Sequence, residues 1–308
     1  MIYVTIASYR DPEIKSTIDS LINKSSDPKN IRICVCQQND TDKLITTEYD
    51  NVHFLNFKPE VSKGLCWARD KANSMYNGEE FFLQCDSHME FVKDWDRLII
   101  EDIRYVKERT TNPAIFAAYP AAYEFTNGER VFVQPPVVHA TKVTFRDAPS
   151  RVILGNAILN TTGHPVRARF LNGGFVFGDG EFLRSQKFDS EIYFYEEEFM
   201  TTLKVFTSGF DLFHPSKHIC WHNYHRIIDH GEQVHHWNPD DEVKRSIKWS
   251  VLNQKSAKKM DEIIMGVYKG KSELGTIRTI QDYEKYACVD LKNRLIYGDA
   301  LTGIYIND

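Results

Sequence analysis

Up to about residue 120, the hydrophobic and polar positions alternate between two periods. Mostly apolar runs at Ile2–Ala7, Ile31–Cys36, Val52–Phe57, Phe81–Cys85 and Ala114–Tyr119 predict strands. Helical spacing separates them. Ile14, Ile18, Leu21 and Ile22 form one stripe, Leu65, Ala68, Ala72 and Met75 a second (over 65–76), and Leu98, Ile99, Ile103 and Val106 a third (over 95–108). Asp11 is placed to cap the first helix, with Pro12 and Glu13 suited to its first turn. Strands alternating with helices imply an α/β fold: a mostly parallel sheet with helices on both faces. Such sheets bind ligands at the carboxyl ends of their strands.

From 120 to 172 the periodicity weakens, and Pro135-Pro136, Asp147-Ala148-Pro149 and Thr162-Gly163-His164-Pro165 punctuate it, so this stretch reads as irregular. Asn172-Gly173-Gly174 then leads into a short strand at 175–177. A helix follows at 196–206 and a strand at 210–213. The last seventy or so residues read as mainly helical, with a capped start at Asn238-Pro239-Asp240-Asp241. The expected organisation is one domain over 1–237, its halves meeting near 120, and a helical C-terminal extension over 238–308 packed on it.

Composition narrows the classes. The chain has 308 residues, 42% hydrophobic and 26% charged, as expected of a globular protein with a sizeable core. The net charge of −5 supplies no basic field, so no nucleic-acid partner is expected. The six cysteines form no CxxC pair, which argues against a zinc knuckle; Cys34 and Cys36 read as small buried apolar residues on one strand face. No run is long and apolar enough to predict a membrane segment. The N-terminus opens on a strand-like run instead of a leader pattern, so cytoplasmic placement is the expectation.

Four constellations carry chemistry. Leu83-Gln84-Cys85-Asp86-Ser87-His88 delivers a carboxylate and an imidazole two residues apart at a strand's end, either a donor pair suited to a divalent cation or, taken alone, simply the start of a turn. Cys220-Trp221-His222-Asn223-Tyr224-His225-Arg226 offers a third donor, with Arg226 or His225 able to face a phosphate, or is a cluster of core or interface histidines. His222 completes the set most simply, with His218 and His225 as alternatives. Tyr195-Glu196-Glu197-Glu198 opens a helix, either as a solvated first turn or as part of a pocket. Gly64 ahead of a helix carrying Arg69 is either a helix start that can meet a diphosphate or a helix with an ordinary surface arginine. A zinc hydrolase built on residues 214–236 ranks low, because no helical HExxH is present.

Together and in order, these pieces resemble the polypeptide α-N-acetylglucosaminyltransferase family, which attaches GlcNAc to hydroxyproline or threonine of proteins. The resemblance rests on Ile6-Ala7-Ser8-Tyr9-Arg10-Asp11, Gly64–Arg69, Asp86-Ser87-His88-Met89 with Trp95-Asp96, and Asn172-Gly173-Gly174. Glu197-Glu198, Trp221–Arg226 and Leu274–Thr279 with Asp282-Tyr283-Glu284 extend it over nearly the whole chain. The core also resembles the polypeptide GalNAc-transferases. The resemblance implies the GT-A (nucleotide-diphospho-sugar transferase) fold and retaining transfer of GlcNAc or a related sugar from a UDP-sugar. The cofactor would be Mn²⁺ (or Mg²⁺), and the acceptor a hydroxyl of a protein, or alternatively of a saccharide.

By carry-over, Asp86, His88 and His222 hold the metal, and Ser87 sits with them at the donor. Ala7, Tyr9 and Arg10 line the uridine pocket, and Arg69 meets the ribose–diphosphate region. Gly173 and Gly174 let the backbone approach the sugar, Glu197 positions its hydroxyls, and Arg226 steadies the leaving diphosphate. Two positions depart from the family pattern: Glu196 stands where glycine is usual, and Lys204 where arginine is common. No carboxylate couple for double displacement is evident, so a front-face route is expected. The stretch 221–237 reads as a lid. A non-catalytic UDP-sugar-binding protein is the competing class; a complete metal shell argues against it.

Overall fold

The computed structural model describes residues 1–185, 188–231 and 234–303. In chain order the first half runs β1 (Ile2–Tyr9), α1 (Ile14–Asn23), β2 (Ile31–Gln38), β3 (Val52–Phe57), α2 (Leu65–Asn73), β4 (Phe81–Asp86), β5 (Met89–Phe91), α3 (Trp95–Lys107) and β6 (Ala114–Ala117). Next come β7 (Ala121–Thr126), β8 (Glu129–Val131), β9 (His139–Phe145), β10 (Ile153–Leu159), β11 (Val166–Arg167), β12 (Phe175–Asp179), α4 (Glu181–Ser185) and α5 (Glu197–Thr207). The chain continues through β13 (Asp211–His214), β14 (Cys220–Asn223), α6 (Arg226–His230), α7 (Pro239–Glu242), α8 (Trp249–Ile264), α9 (Ile280–Ala287), β15 (Val289–Asp290) and β16 (Leu295–Ile296).

Eight strands form the main sheet in the order β11-β13-β6-β12-β4-β1-β2-β3. The pairs β1–β2, β2–β3, β1–β4 and β6–β13 are parallel. β12 enters antiparallel between β4 and β6, and β11 is antiparallel to β13. Side chains alternate across this sheet, as a strand's period of two requires. Ile2, Val4, Ile6, Leu83, Phe175 and Phe177 share one core with α1 and α3. Phe82, Ile115 and Val176 point the other way, into a core built with Leu203 of α5, Met260 of α8 and Tyr283 of α9. Cys34 and Cys36 lie beside Trp67 and Ala68 as free buried thiols. The α/β reading with helices on both faces is what the chain adopts.

Several local expectations are corrected. Residues 121–167 are mostly strand, with a hairpin β9–β10 and a second sheet ordered β5-β14-β7-β8. These strands are short or half exposed, and β7 and β11 also pair with distant segments, so they leave no strong period in the sequence. α2 stops at Asn73, and Met75 lies exposed beyond it. Asp11 does not cap α1 in the usual sense: the helix starts at Ile14 after Glu13. The Asp11 side chain is instead buried, with Oδ1 accepting the Glu13 N–H at 2.9 Å. In the C-terminal segment Asn238 does cap α7, accepting the Asp240 N–H at 2.7 Å.

Candidate active site

β4 ends on Asp86, and Ser87-His88 form the step from β4 to β5. β14 pairs antiparallel with β5, opposing His222 to Met89, and this sets the His222 ring beside that of His88, with centroids 4.5 Å apart. β12 pairs with β4 in a register that opposes Phe175 to Cys85, so the preceding Gly173-Gly174 turn lies against Asp86. The Asp86 N–H donates to the Gly174 carbonyl at 3.1 Å. The first turn of α5 brings Glu197 and Glu198 to the same place, and α2 contributes Arg69. These groups line a cavity of about 890 Å³ at the carboxyl ends of β1 and β4.

Asp86, His88 and His222 each offer one ligand atom, all within 4.8 Å of one another. His222 Nε2 lies 3.2 Å from Asp86 Oδ2, and His88 Nε2 lies 3.9 Å from it. Burial would raise the Asp86 carboxyl, but a hydrogen bond from His222 and the neighbouring His88 and Arg69 hold it well below the usual carboxylate range. Burial, then the nearby Arg226 and His222, push the His88 imidazole down to about 4, against the pull of Asp11. Near neutral pH the site therefore holds an ionised carboxylate and a neutral His88 ring, the protonation states that metal ligation requires. One oxygen and two imidazole nitrogens, converging and open to a cavity, fit a divalent cation.

Arg69, only 2% exposed, ties the second half of the site together. Its guanidinium pairs with Glu197, lies 3.4 Å from Asp86 Oδ1, and donates to the Gly173 carbonyl at 2.9 Å. Glu197 also accepts from the Thr201 hydroxyl at 3.2 Å. A Cβ at Gly173 would lie 2.6 Å from Glu197 Oε2, and one at Gly174 would lie 3.2 Å from Asp86 Oδ2. The two glycines are thus demanded by close approach, with their φ angles outside the left-handed region. Glu198 accepts the Gly173 N–H at 2.7 Å and lines the cavity. Burial first, then the charge of Glu197, push its carboxyl up to about 7.

The remaining expected residues separate. Ala7 and Tyr9 line the cavity. The Tyr9 hydroxyl donates to the Asp241 carboxylate and accepts from Arg245 Nη2 at 2.5 Å. Arg10, at φ 48°, turns away. It is paired with Asp40 and Asp241 and borders a neighbouring cavity of about 640 Å³. Ser87 lines the main cavity, but its hydroxyl donates to Asp11 Oδ2 at 2.5 Å. Arg226 also lines it, with Nη2 3.1 Å from Asp11 Oδ2. His218 Nδ1 is 3.0 Å from the Val137 carbonyl, and His225 Nδ1 is 3.4 Å from Glu124, so neither ring is turned to Asp86. Of the lid stretch, residues 232 and 233 lie outside the described residues; Val234, His235 and Trp237 line the cavity.

Sequence reasoning passed over Asp11, which carried the signature of a cap. It named the glutamate run at 196–198 without choosing between a solvated first turn and a pocket; the structure brings both Glu197 and Glu198 to the cavity. Among the described residues, no helix is long and apolar enough to cross a membrane.

A parallel-centred sheet with an Asp-x-His step at the carboxyl end of an inner strand, opening on a cavity, is the architecture of GT-A glycosyltransferases. Residues 1–53 and 42–293 match the model of the family described as Glycosyltransferase (GlcNAc), and the chain belongs to that family. Among solved structures, the chain is similar to GalNAc-T7 with UDP, GalNAc and Mn²⁺, at 14% identity and a TM-score of 0.59. That match covers 93% of this chain and 54% of the other, so the chain spans about half the length of that relative. S. aureus TarS in complex with UDP-GlcNAc aligns at 14% identity and a TM-score of 0.44, over 87% of this chain and 76% of that one. The Pyrobaculum calidifontis mannosyltransferase PcManGT with GDP-Man and Mn²⁺ aligns at 12% identity and a TM-score of 0.49, over 83% and 68%. No curated protein sequence matches the chain.

Proposed function

We propose that the protein is a retaining, metal-dependent glycosyltransferase that moves GlcNAc, or a related sugar, from a UDP-sugar onto a protein hydroxyl. The observation that carries this reading is the convergence of Asp86, His88 and His222 next to the Arg69-held Gly173-Gly174 turn, inside one cavity. The family description supports GlcNAc as donor sugar, and the UDP and Mn²⁺ of GalNAc-T7 support the donor class and cation. Mixed oxygen and nitrogen donors favour Mn²⁺ over Mg²⁺, which prefers oxygen shells.

When bound there, a divalent cation neutralises charge that develops on the departing diphosphate. The chain's own residues supply the rest. Arg69 fixes Glu197 and the Gly173 carbonyl, and so holds the floor on which the sugar rests. The Gly173-Gly174 backbone is bare, which lets a sugar ring approach. Glu198, anchored through one oxygen, is the carboxyl group placed to hydrogen-bond a sugar hydroxyl; Glu197 supports it through Arg69. Arg226 sits at the cavity wall as the cation nearest the His88 side and steadies the leaving group. On a front-face route the acceptor hydroxyl passes its proton to the departing β-phosphate, so no protein nucleophile is needed.

A second reading of the acceptor is favoured by the partly buried aromatic wall of Phe194, Tyr195 and Trp237 at the same cavity. Aromatic faces pack well against sugar rings, so the acceptor hydroxyl then belongs to a saccharide.

UDP release from a panel of UDP-sugars, with Mn²⁺ and with EDTA, tests the proposal. Metal-dependent release, greatest with UDP-GlcNAc and abolished by Asp86→Ala or His222→Ala in folded protein, is the expected result. Unchanged turnover in Asp86→Ala would remove the basis of the proposal. Adding peptide or oligosaccharide acceptors separates the two acceptor readings.

A further inference from the structure

Asp11 lies outside the ligand set, yet its side chain is the fully buried carboxylate behind it, with 0% exposure. Its two oxygens are committed differently. Oδ1 accepts the Glu13 N–H at 2.9 Å. Oδ2 stands 2.9 Å from His88 Nδ1, accepts the Ser87 hydroxyl at 2.5 Å, and faces Arg226 Nη2 at 3.1 Å. An ionised carboxylate can only accept, so the proton of the contact with His88 sits on Nδ1. Nε2 then carries the free lone pair, and Nε2 is the ring atom turned toward Asp86 Oδ2.

The geometry points to Asp11 as the positioning residue that fixes the tautomer and ring orientation of His88 for cation binding, with Ser87 and Arg226 fixing Asp11 in turn. This inference rests on reading Asp86, His88 and His222 as the cation site. A carboxylate behind a ligating imidazole sets which nitrogen is free and raises its donor strength. The second imidazole differs. His222 Nδ1 is buried and has no hydrogen-bond partner among the described residues. His88 is therefore the pre-organised imidazole of the pair, and its organisation is written into Asp11.

The test uses the full chain and Mn²⁺ alone, with binding read by the loss of the free-ion paramagnetic resonance signal. Asp11→Asn removes the charge and offers an amide N–H that favours the opposite tautomer. It is expected to weaken Mn²⁺ binding by about 10–100-fold, while Asp11→Glu, which keeps a charged acceptor, recovers part of the loss. Indistinguishable affinity in folded Asp11→Asn overturns the inference. If the wild-type chain takes up no Mn²⁺, the cation-site reading falls and this inference with it, so the two failures look different. A measurement on the metal-free wild type keeps the inference testable whatever the variants do. Long-range ¹H–¹⁵N correlation spectra report the tautomer of His88, assigned by the signals lost in His88→Gln. An Nδ1–H ring supports the role of Asp11; an Nε2–H ring overturns it.

Discussion

At the scale of single residues, the site is governed by close approach and by charges held out of water. A methyl group at Gly173 would meet the Glu197 carboxylate 2.6 Å away and push it off Arg69. Misplacing site groups by an ångström costs on the order of 100-fold in rate, so Gly173→Ala should lower metal-dependent UDP release by about that factor in steady-state assays, and the disturbed buried ion pair should lower the melting temperature as well. Lys204 shows the opposite economy. It is 4% exposed, and its ammonium has no hydrogen-bond partner among the described residues. Burial pushes its pKa down to about 8, while Glu273 and Asp189 pull it back. A lysine whose folded pKa is depressed destabilises the fold while it is charged, fully below about pH 8. The penalty fades as pH rises from there toward the unfolded value near 10.4. Lys204→Met should therefore stabilise the protein at pH 7 by about 2–3 kcal/mol. Urea unfolding followed from pH 7 to pH 10 should show that advantage shrinking.

Legibility at this scale was uneven. Asp86 and His88 stand two apart after an apolar strand, and that spacing is visible in the letters. Arg69 is visible only as a basic residue on a helix that follows a glycine; its pairing with Glu197 depends on a carboxylate 128 positions later being folded against it. Asp11 was concealed by a better-known use of the same pattern, since Asp-Pro-Glu ahead of an amphipathic run looks like a helix start.

Among elements, β1, β2, β4 and the helices α1 and α3 follow from periodicity alone, because both faces of the sheet are covered and each strand is an apolar run. β7 to β11 do not. β9 and β10 pair with each other at the rim, and β7 finds its parallel partner in β14, about a hundred residues on. The hairpins are local but short and half exposed, and β7 and β11 are completed by partners that a local window cannot contain. α9 is the reverse case. Thr279 and Asp282 form a capping box, each side chain bonded to the other's backbone N–H. Thr279→Ala should cost about 1 kcal/mol, read as a lowered urea midpoint with an unchanged slope. The buried Tyr283 hydroxyl donates to the Arg169 carbonyl at 2.6 Å. Tyr283→Phe should cost about 1–2 kcal/mol by leaving that carbonyl short of a donor.

For the molecule as a whole, the three proposed ligands come from two sheets. Asp86 ends a strand of the large sheet, while His222 belongs to the small one and His88 lies between them. A cation bound only by the folded chain stabilises it by mass action. Mn²⁺ at about 100 times its dissociation constant should add about 2.7 kcal/mol to the unfolding free energy, and Asp86→Ala should erase that gain in a thermal-shift titration. There is a consequence for motion as well. An ion in this position acts as a rivet across the seam where the sheets meet. Stripping it should let the small sheet breathe against the large one, so that amide protons of 220–223 exchange faster than those of the parallel strands, which stay sealed.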